Sequence, residues 1–230
     1  MPTTRVISGG TVGNVDIGVL ATDAGYFTGP VNGFVVRGVS FSGVGTALHV
    51  EDTTFTGNAR LSVGAGNDFA GATWPVALSG PEATLGMADG VSGVDRILVK
   101  SAQISNVWNG PDSSNATHDV AAATINNGIA GASVGGVVQV EAGTFAQTVL
   151  VDKAVRLLGA QADVSAKGAV AERVGGETII APDAPVRVQI PAAGAGAEVN
   201  GFTVSGVSGS TNANSAAFNI TGSGAIVRNN

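Results

Sequence analysis

Residues 119–159 read DVAAATINNGIAGASVGGVVQVEAGTFAQTVLVDKAVRLLG. Val120, Ala123, Thr124, Ile125 and Ile129 form a narrow apolar stripe at helical spacing, and three brief apolar runs follow, divided by turn residues. Asp119 stands at the N-cap position, where its carboxylate also suits the positive end of the helix dipole. Asn126, Asn127 and Gly128 are poor helix formers, so the stretch predicts a short helix over 119–131. Strands are expected at 137–140, 148–151 and 155–158. A helix just before a first strand can cover the apolar side chains and unpaired backbone groups at the end of a strand stack. The segment therefore reads as the beginning of such a stack, yet it lies in the middle of the chain.

Working outward, short apolar runs recur on both sides. They fall at Ala47–Val50, Thr53–Thr56, Arg60–Val63, Thr178–Ile180, Val186–Ile190, Ala216–Ile220 and Ala225–Val227, with Gly, Asn, Asp or Pro between them. Residues 31–43, VNGFVVRGVSFSG, match residues 199–211, VNGFTVSGVSGST, as an alternating strand between glycine turns. Short strands, few charges and frequent turns favour stacked turns of chain over a sandwich, whose strands are longer and whose edges carry charged protection. Residues 106–118, NVWNGPDSSNATH, read as a polar linker between a first segment, 1–105, and a second, 119–230.

The stretches DVAAATINNG, GGVVQVEAGTF and TVLVDKAVRLLGAQ resemble the N-terminal cap and first turns of the pectin-lyase-like right-handed parallel β-helix superfamily. GFTVSG at 201–206 and IVRNN at 226–230 resemble later turns. The resemblance implies an all-β fold, a right-handed parallel β-helix with one capping helix near 119–131. It implies little about activity, because this fold carries lyases, hydrolases, binding proteins and inert fibres.

Composition narrows the class. Among 230 residues there are 35 Gly, 12% charged residues and 5% aromatics, a mixture suited to narrow, tightly stacked sheets. Mean hydropathy of +0.31 argues against disorder. The net charge is −6 and the basic residues are scattered, so neither nucleic acid nor an anionic membrane is an expected partner. No apolar run reaches the length of a membrane span. Cysteine is absent, which excludes disulfides, thiolate metal sites and a cysteine nucleophile. The opening residues lack the apolar core of a signal peptide, so export without a cleaved N-terminal signal is expected.

Candidates for chemistry are sparse. His49 shares a strand face with Glu51 while Asp52 points the other way, an arrangement that reads as a solvated surface strand. His118 falls in the linker. The Gly-His-Gly and paired aspartates of the superfamily's hydrolases are missing. Asp95-Arg96 and Glu172-Arg173 read as surface ion links or turns rather than an acid–base pair. VGAGNDF, Val63–Phe69, is half of a calcium-binding nonapeptide, but such a site needs successive copies, so no cofactor is expected and calcium stays the one open alternative. Tyr26, Trp74 and Trp108 are too dispersed for a sugar-stacking platform, and the sequons at Asn115 and Asn219 are unremarkable in an Asn/Thr-rich chain. Asn126, Asn127, Asn200, Asn219, Asn229 and Asn230 suit hydrogen bonding at bends between stacked turns.

The order of parts then bears on function. Both terminal stretches read as uncapped strand sequence, which leaves unpaired backbone groups at each end. The expectation is a non-enzymatic structural subunit or repeat module of an extracellular or cell-surface fibre. It would join head to tail with itself through Val6, Ile7, Ile17, Phe218, Ile220, Ile226 and Val227. A single permuted solenoid, with the linker running back along the stack, is the competing arrangement. A module that binds or degrades polysaccharide, with a cell-surface glycan as partner, and a phage tail-fibre module are the competing functions.

Overall fold

In the computed structural model every strand pair among the described residues is parallel. The structure describes residues 5–22, 34–52, 60–80, 83–100, 125–166, 173–205 and 215–230. Asp119, Tyr26, Trp108, Asn115, His118, Glu172 and the run Thr53–Thr56 lie outside them.

The first segment alternates between two sheets. Its elements are β1 (Val6–Ser8), β2 (Thr11–Gly13), β3 (Ile17–Thr22), β4 (Phe34–Arg37), β5 (Ser40–Glu51), β6 (Arg60–Val63), β7 (Asp68–Ser79), β8 (Thr84–Met87) and β9 (Val94–Val99). A helix, α1 (Ile125–Gly131), follows. The second segment holds β10 (Ala132–Val140), β11 (Gly143–Phe145), β12 (Val149–Leu150), β13 (Arg156–Leu158), β14 (Thr178–Ile180), β15 (Val186–Ile190), β16 (Glu198–Asn200), β17 (Phe202–Val204), β18 (Ala216–Ile220) and β19 (Ile226–Arg228). The described residues are thus all-β apart from one short α-helix and a single 3-10 turn at Ala192–Gly194.

One sheet runs through the whole molecule, in the order β19-β16-β13-β10-β9-β7-β5-β2, with β3 also on β5. The first segment adds the sheet β1-β4-β6-β8, and the second adds β11-β14-β17 and β12-β15-β18. The two segments therefore stack in chain order, through β9 and β10, with Arg96–Val99 beside Val137–Val140. This overturns the arrangement in which the linker runs back and the segments join in reverse.

A single buried column marks this continuity. Val19, Leu48, Val76, Ile97, Val138, Leu157, Val199 and Val227 are consecutive register partners across the long sheet. The six interior members are fully buried, and Val19 and Val227 pack half-buried on the same core. At a strand spacing of ~4.8 Å the column is about 34 Å long.

The helix lies inside the predicted span, but the edges it covers lie in the middle of the stack and not at its end. It packs on β8 and β9 on one side and on β10 and β12 on the other, with Ile125 and Ile129 buried. Its three poor helix formers have definite uses. Asn126 Nδ2 donates to Thr148 O (2.9 Å), and Asn126 Oδ1 accepts from Leu150 N (2.9 Å), so one side-chain amide replaces a neighbouring strand for the edge of β12. Asn127 Nδ2 donates to Ala83 O (2.9 Å) just before β8. A Cβ on Gly128 would come within 2.7 Å of Val99 Cγ2, so glycine is what lets the helix lie close to the sheet. Lys153 Nζ donates to Ala130 O (3.0 Å) and Ala132 O (3.2 Å), tying down the helix C-terminus.

Two strands run well beyond the short apolar runs read in the sequence. β5 and β7 each span 12 residues. The register between them shifts twice near Ser42, where Gly43 has φ of +63°, so a bulge bends one long strand instead of ending it.

Candidate assembly edges and a buried histidine

The first layer of strands has partners on one side only among the described residues: β1 pairs with β4, while β2 and β3 pair with β5. At the far end β17 pairs with β14, β18 with β15 and β19 with β16. Each of these edge strands offers a row of backbone N–H and C=O groups.

The candidate assembly residues all lie on these edges, on two different faces. Ile7 sits beside the core residue Val36, and Ile17 shares a strand face with Val19 and Ala21. Phe218 and Ile220 sit beside the core residues Val188 and Ile190, and Val227 sits beside Val199. Val6 and Ile226 fall on the opposite faces, being one residue out of phase with Ile7 and Val227. Ile226 is 52% exposed. Val12 and Val19 also face the core at the first edge, and the sequence reading missed them although their alternation with Gly and Leu was available.

The β19 end is hollow. Val204, Ala217, Phe218, Val227, Arg228, Asn229 and Asn230 surround a cavity of about 370 Å³. Its rim is ordered by ion pairs and amides. Glu198 accepts from Arg156 Nε (2.9 Å) and Arg228 Nη2 (2.6 Å), and Arg228 Nη1 lies 2.8 Å from Asp163. Burial pushes the Glu198 carboxyl up, but the hydrogen bonds and charges of Arg156 and Arg228 more than offset it and hold it below the usual range. Asn230 Oδ1 accepts from Phe202 N (3.0 Å) and its Nδ2 donates to Val199 O (3.0 Å). Asn229 Nδ2 donates to Asn200 Oδ1 (3.1 Å), which places asparagines at a stacked bend as the composition suggested.

His49 is corrected by the structure. It is 5% exposed, not solvated. Ala47, Leu48, His49 and Val50 are buried in succession, so both faces of β5 are covered there. His49 Nε2 lies 2.7 Å from Ser79 Oγ on β7, where Glu51 and Ser79 are register partners. Burial first, and the charge of Lys100 second, push the imidazole down to about 4. A base this weak is a poor proton acceptor at neutral pH, and both partners are buried. The arrangement does what a buried polar pair must do, which is satisfy its own hydrogen bond.

The remaining candidates hold structure. Asp95 Oδ1 accepts from Ser133 Oγ (2.7 Å), and Arg96 lies 6.0 Å over the ring of Trp74. Arg173 bonds Glu177, Thr203 and the carbonyl of Asn229. In the nonapeptide-like stretch Asn67 Nδ2 donates to Val36 O (2.8 Å) and Gly64 O (2.9 Å), while its Oδ1 accepts from Val39 N (3.1 Å). That amide closes a turn. Among the described residues no group of three or more His, Asp or Glu is placed to hold a metal ion. Among the same residues no helix is long and apolar enough to cross a membrane. Comparison with protein-family models, curated proteins and solved structures found no match.

Proposed function

We propose that this chain is a non-enzymatic structural module of an extracellular or cell-surface filament. Its layers would wind as a right-handed parallel β-helix of the pectin-lyase-like kind, and copies would join head to tail through their end strands. The observation that carries this reading is the parallel sheet running through every layer, flanked by edge strands with half-buried core residues. Val12 and Val19 stand at one end, and Val204, Phe218 and Val227 at the other.

Parallel pairing gives the contact its direction. A new parallel strand on β19 must come from the β3 side of another copy, because two identical ends cannot meet with their strands parallel. The contact is then heterologous and open-ended, the geometry of a filament. At ~25 cal/mol per Å², a junction burying several hundred Å² of apolar surface per partner gains of order 10 kcal/mol gross. Association entropy and ordering of the ends offset much of that.

Electron microscopy and analytical ultracentrifugation of the purified chain test the reading. Filaments, or oligomers that grow with concentration, are the expected result. Val227→Lys should leave a folded monomer, since it puts a charge into the core face of an edge strand. A wild-type chain that stays monomeric at high concentration overturns the proposal.

A further inference from the structure

We infer that the partner at the β19 edge is a second copy of this module seated in one register, with Val227 of one copy beside Val19 of the next. Arg228 then lies beside Leu20, and Ile226 beside Gly18. The inference rests on the head-to-tail reading and names the contact that would realise it.

Three observations fix the register. The column from Val19 to Val227 is the apolar column that joins the two ends. Its rivals stop inside the molecule. Ala21, Val50, Leu78, Val99 and Val140 form a parallel column that ends at β10, because β13 pairs with β10 only as far as Gln139. Ile7, Val36, Val63 and Met87 form another that ends at β8, where α1 takes the place of the next strand. Only a Val227–Val19 step prolongs a column that both ends share. A slip by one residue would turn Val227 to the face of Leu20 and break that continuity.

The side chains beside this column also fit. Leu20 is 47% exposed on the face opposite Val19, and the aliphatic stem of Arg228 would cover it. Ile226 meets Gly18, which has no side chain to obstruct it. The chain already makes a joint of this kind within itself. At β9 and β10 the long sheet alone carries strand pairing from a two-sheet cross-section to a three-sheet one.

The sequence has no cysteine, so disulfide trapping is clean. The full-length double variant Leu20→Cys with Arg228→Cys should give, under mild oxidation, a ladder of covalent multimers that reductant collapses. Thr22→Cys with Arg228→Cys, shifted two residues along the same strand, should give little. Because Arg228 also pairs with Glu198 and Asp163, hydrogen exchange on the unmodified chain supplies a second reading. Assembly should slow exchange at residues 17–22 and 226–228. Multimers that cross-link equally in both variants, or in neither, overturn the register and leave head-to-tail assembly standing, whereas assembly that gains no protection at 17–22 overturns both. A chain that never assembles overturns both.

Discussion

At the scale of the residue, His49 satisfies a buried hydroxyl and Asn126 two backbone groups of a strand edge across a layer boundary. His49 binds its proton less readily in the folded protein, at about 4, than the ordinary 6.5. The unfolded chain therefore takes up that proton first as pH falls. The stability it confers is complete above about pH 6.5, declines between 6.5 and 4, and is level below that. The expected loss is about 3 kcal/mol over this window. Urea denaturation as a function of pH should show it, and His49→Gln should flatten the slope there relative to wild type. For Asn126, replacement by Ala leaves Thr148 O and Leu150 N without their side-chain partner, at a cost of about 2–3 kcal/mol. Asn126→Asp keeps only the acceptor and should fall between the two in the same denaturation series. Neither role was plain in the sequence. His49 looked solvated because its partner Ser79 is set by register, not by local spacing; aligning TALHVED (46–52) on WPVALSG (74–80) brings the two close. Asn126 looked like a flaw in a helix because propensity scales score the backbone and not what the amide can bond.

At the scale of the element, α1 is read best as a joint. Propensity favours alanine over glycine at a helix interior by about 1 kcal/mol. At Gly128 the packing reverses this, since a Cβ would press on Val99 Cγ2 at 2.7 Å and Val138 Cγ1 at 3.1 Å. Gly128→Ala should therefore lower stability, by about 1–2 kcal/mol, in a thermal melt followed by circular dichroism. An unchanged or raised Tm would show that the helix can shift outward at no cost. The strands at Arg60–Val63, Thr178–Ile180, Val186–Ile190 and Ala216–Ile220 were legible residue for residue, because the runs there contain no internal glycine. β5 and β7 were not. Gly43, which reads in the sequence as the glycine turn closing the run 31–43, is absorbed by the sheet as a bend inside β5.

At the scale of the whole molecule, local patterns could tell that strands stack but not the order in which they do so. The helix pattern at 119–131 suggested an end because helices of this kind cover open edges. The edges it covers are real, those of β8 and β12, but the long sheet passes beside them without a break. That bypass has a mechanical consequence. The sheet β1-β4-β6-β8 stops at α1, and the sheets begun by β11 and β12 start beyond it. One ladder of backbone hydrogen bonds, β9 to β10, crosses the plane between the segments, whereas two sheets join the layers of the first segment and three join the complete layers of the second, among the described residues. In a structure whose layers touch only their neighbours, cooperativity fails first at the weakest interface. The molecule thus carries a fault line, held shut by Ile125, Ile129 and the two asparagines. Ile129→Asp, which buries a carboxylate in that seam, should split the calorimetric transition into two, with the segment beyond α1 melting on its own. One sharp transition, merely shifted to lower temperature, would mean that the single ladder is strong enough to make both halves fail together.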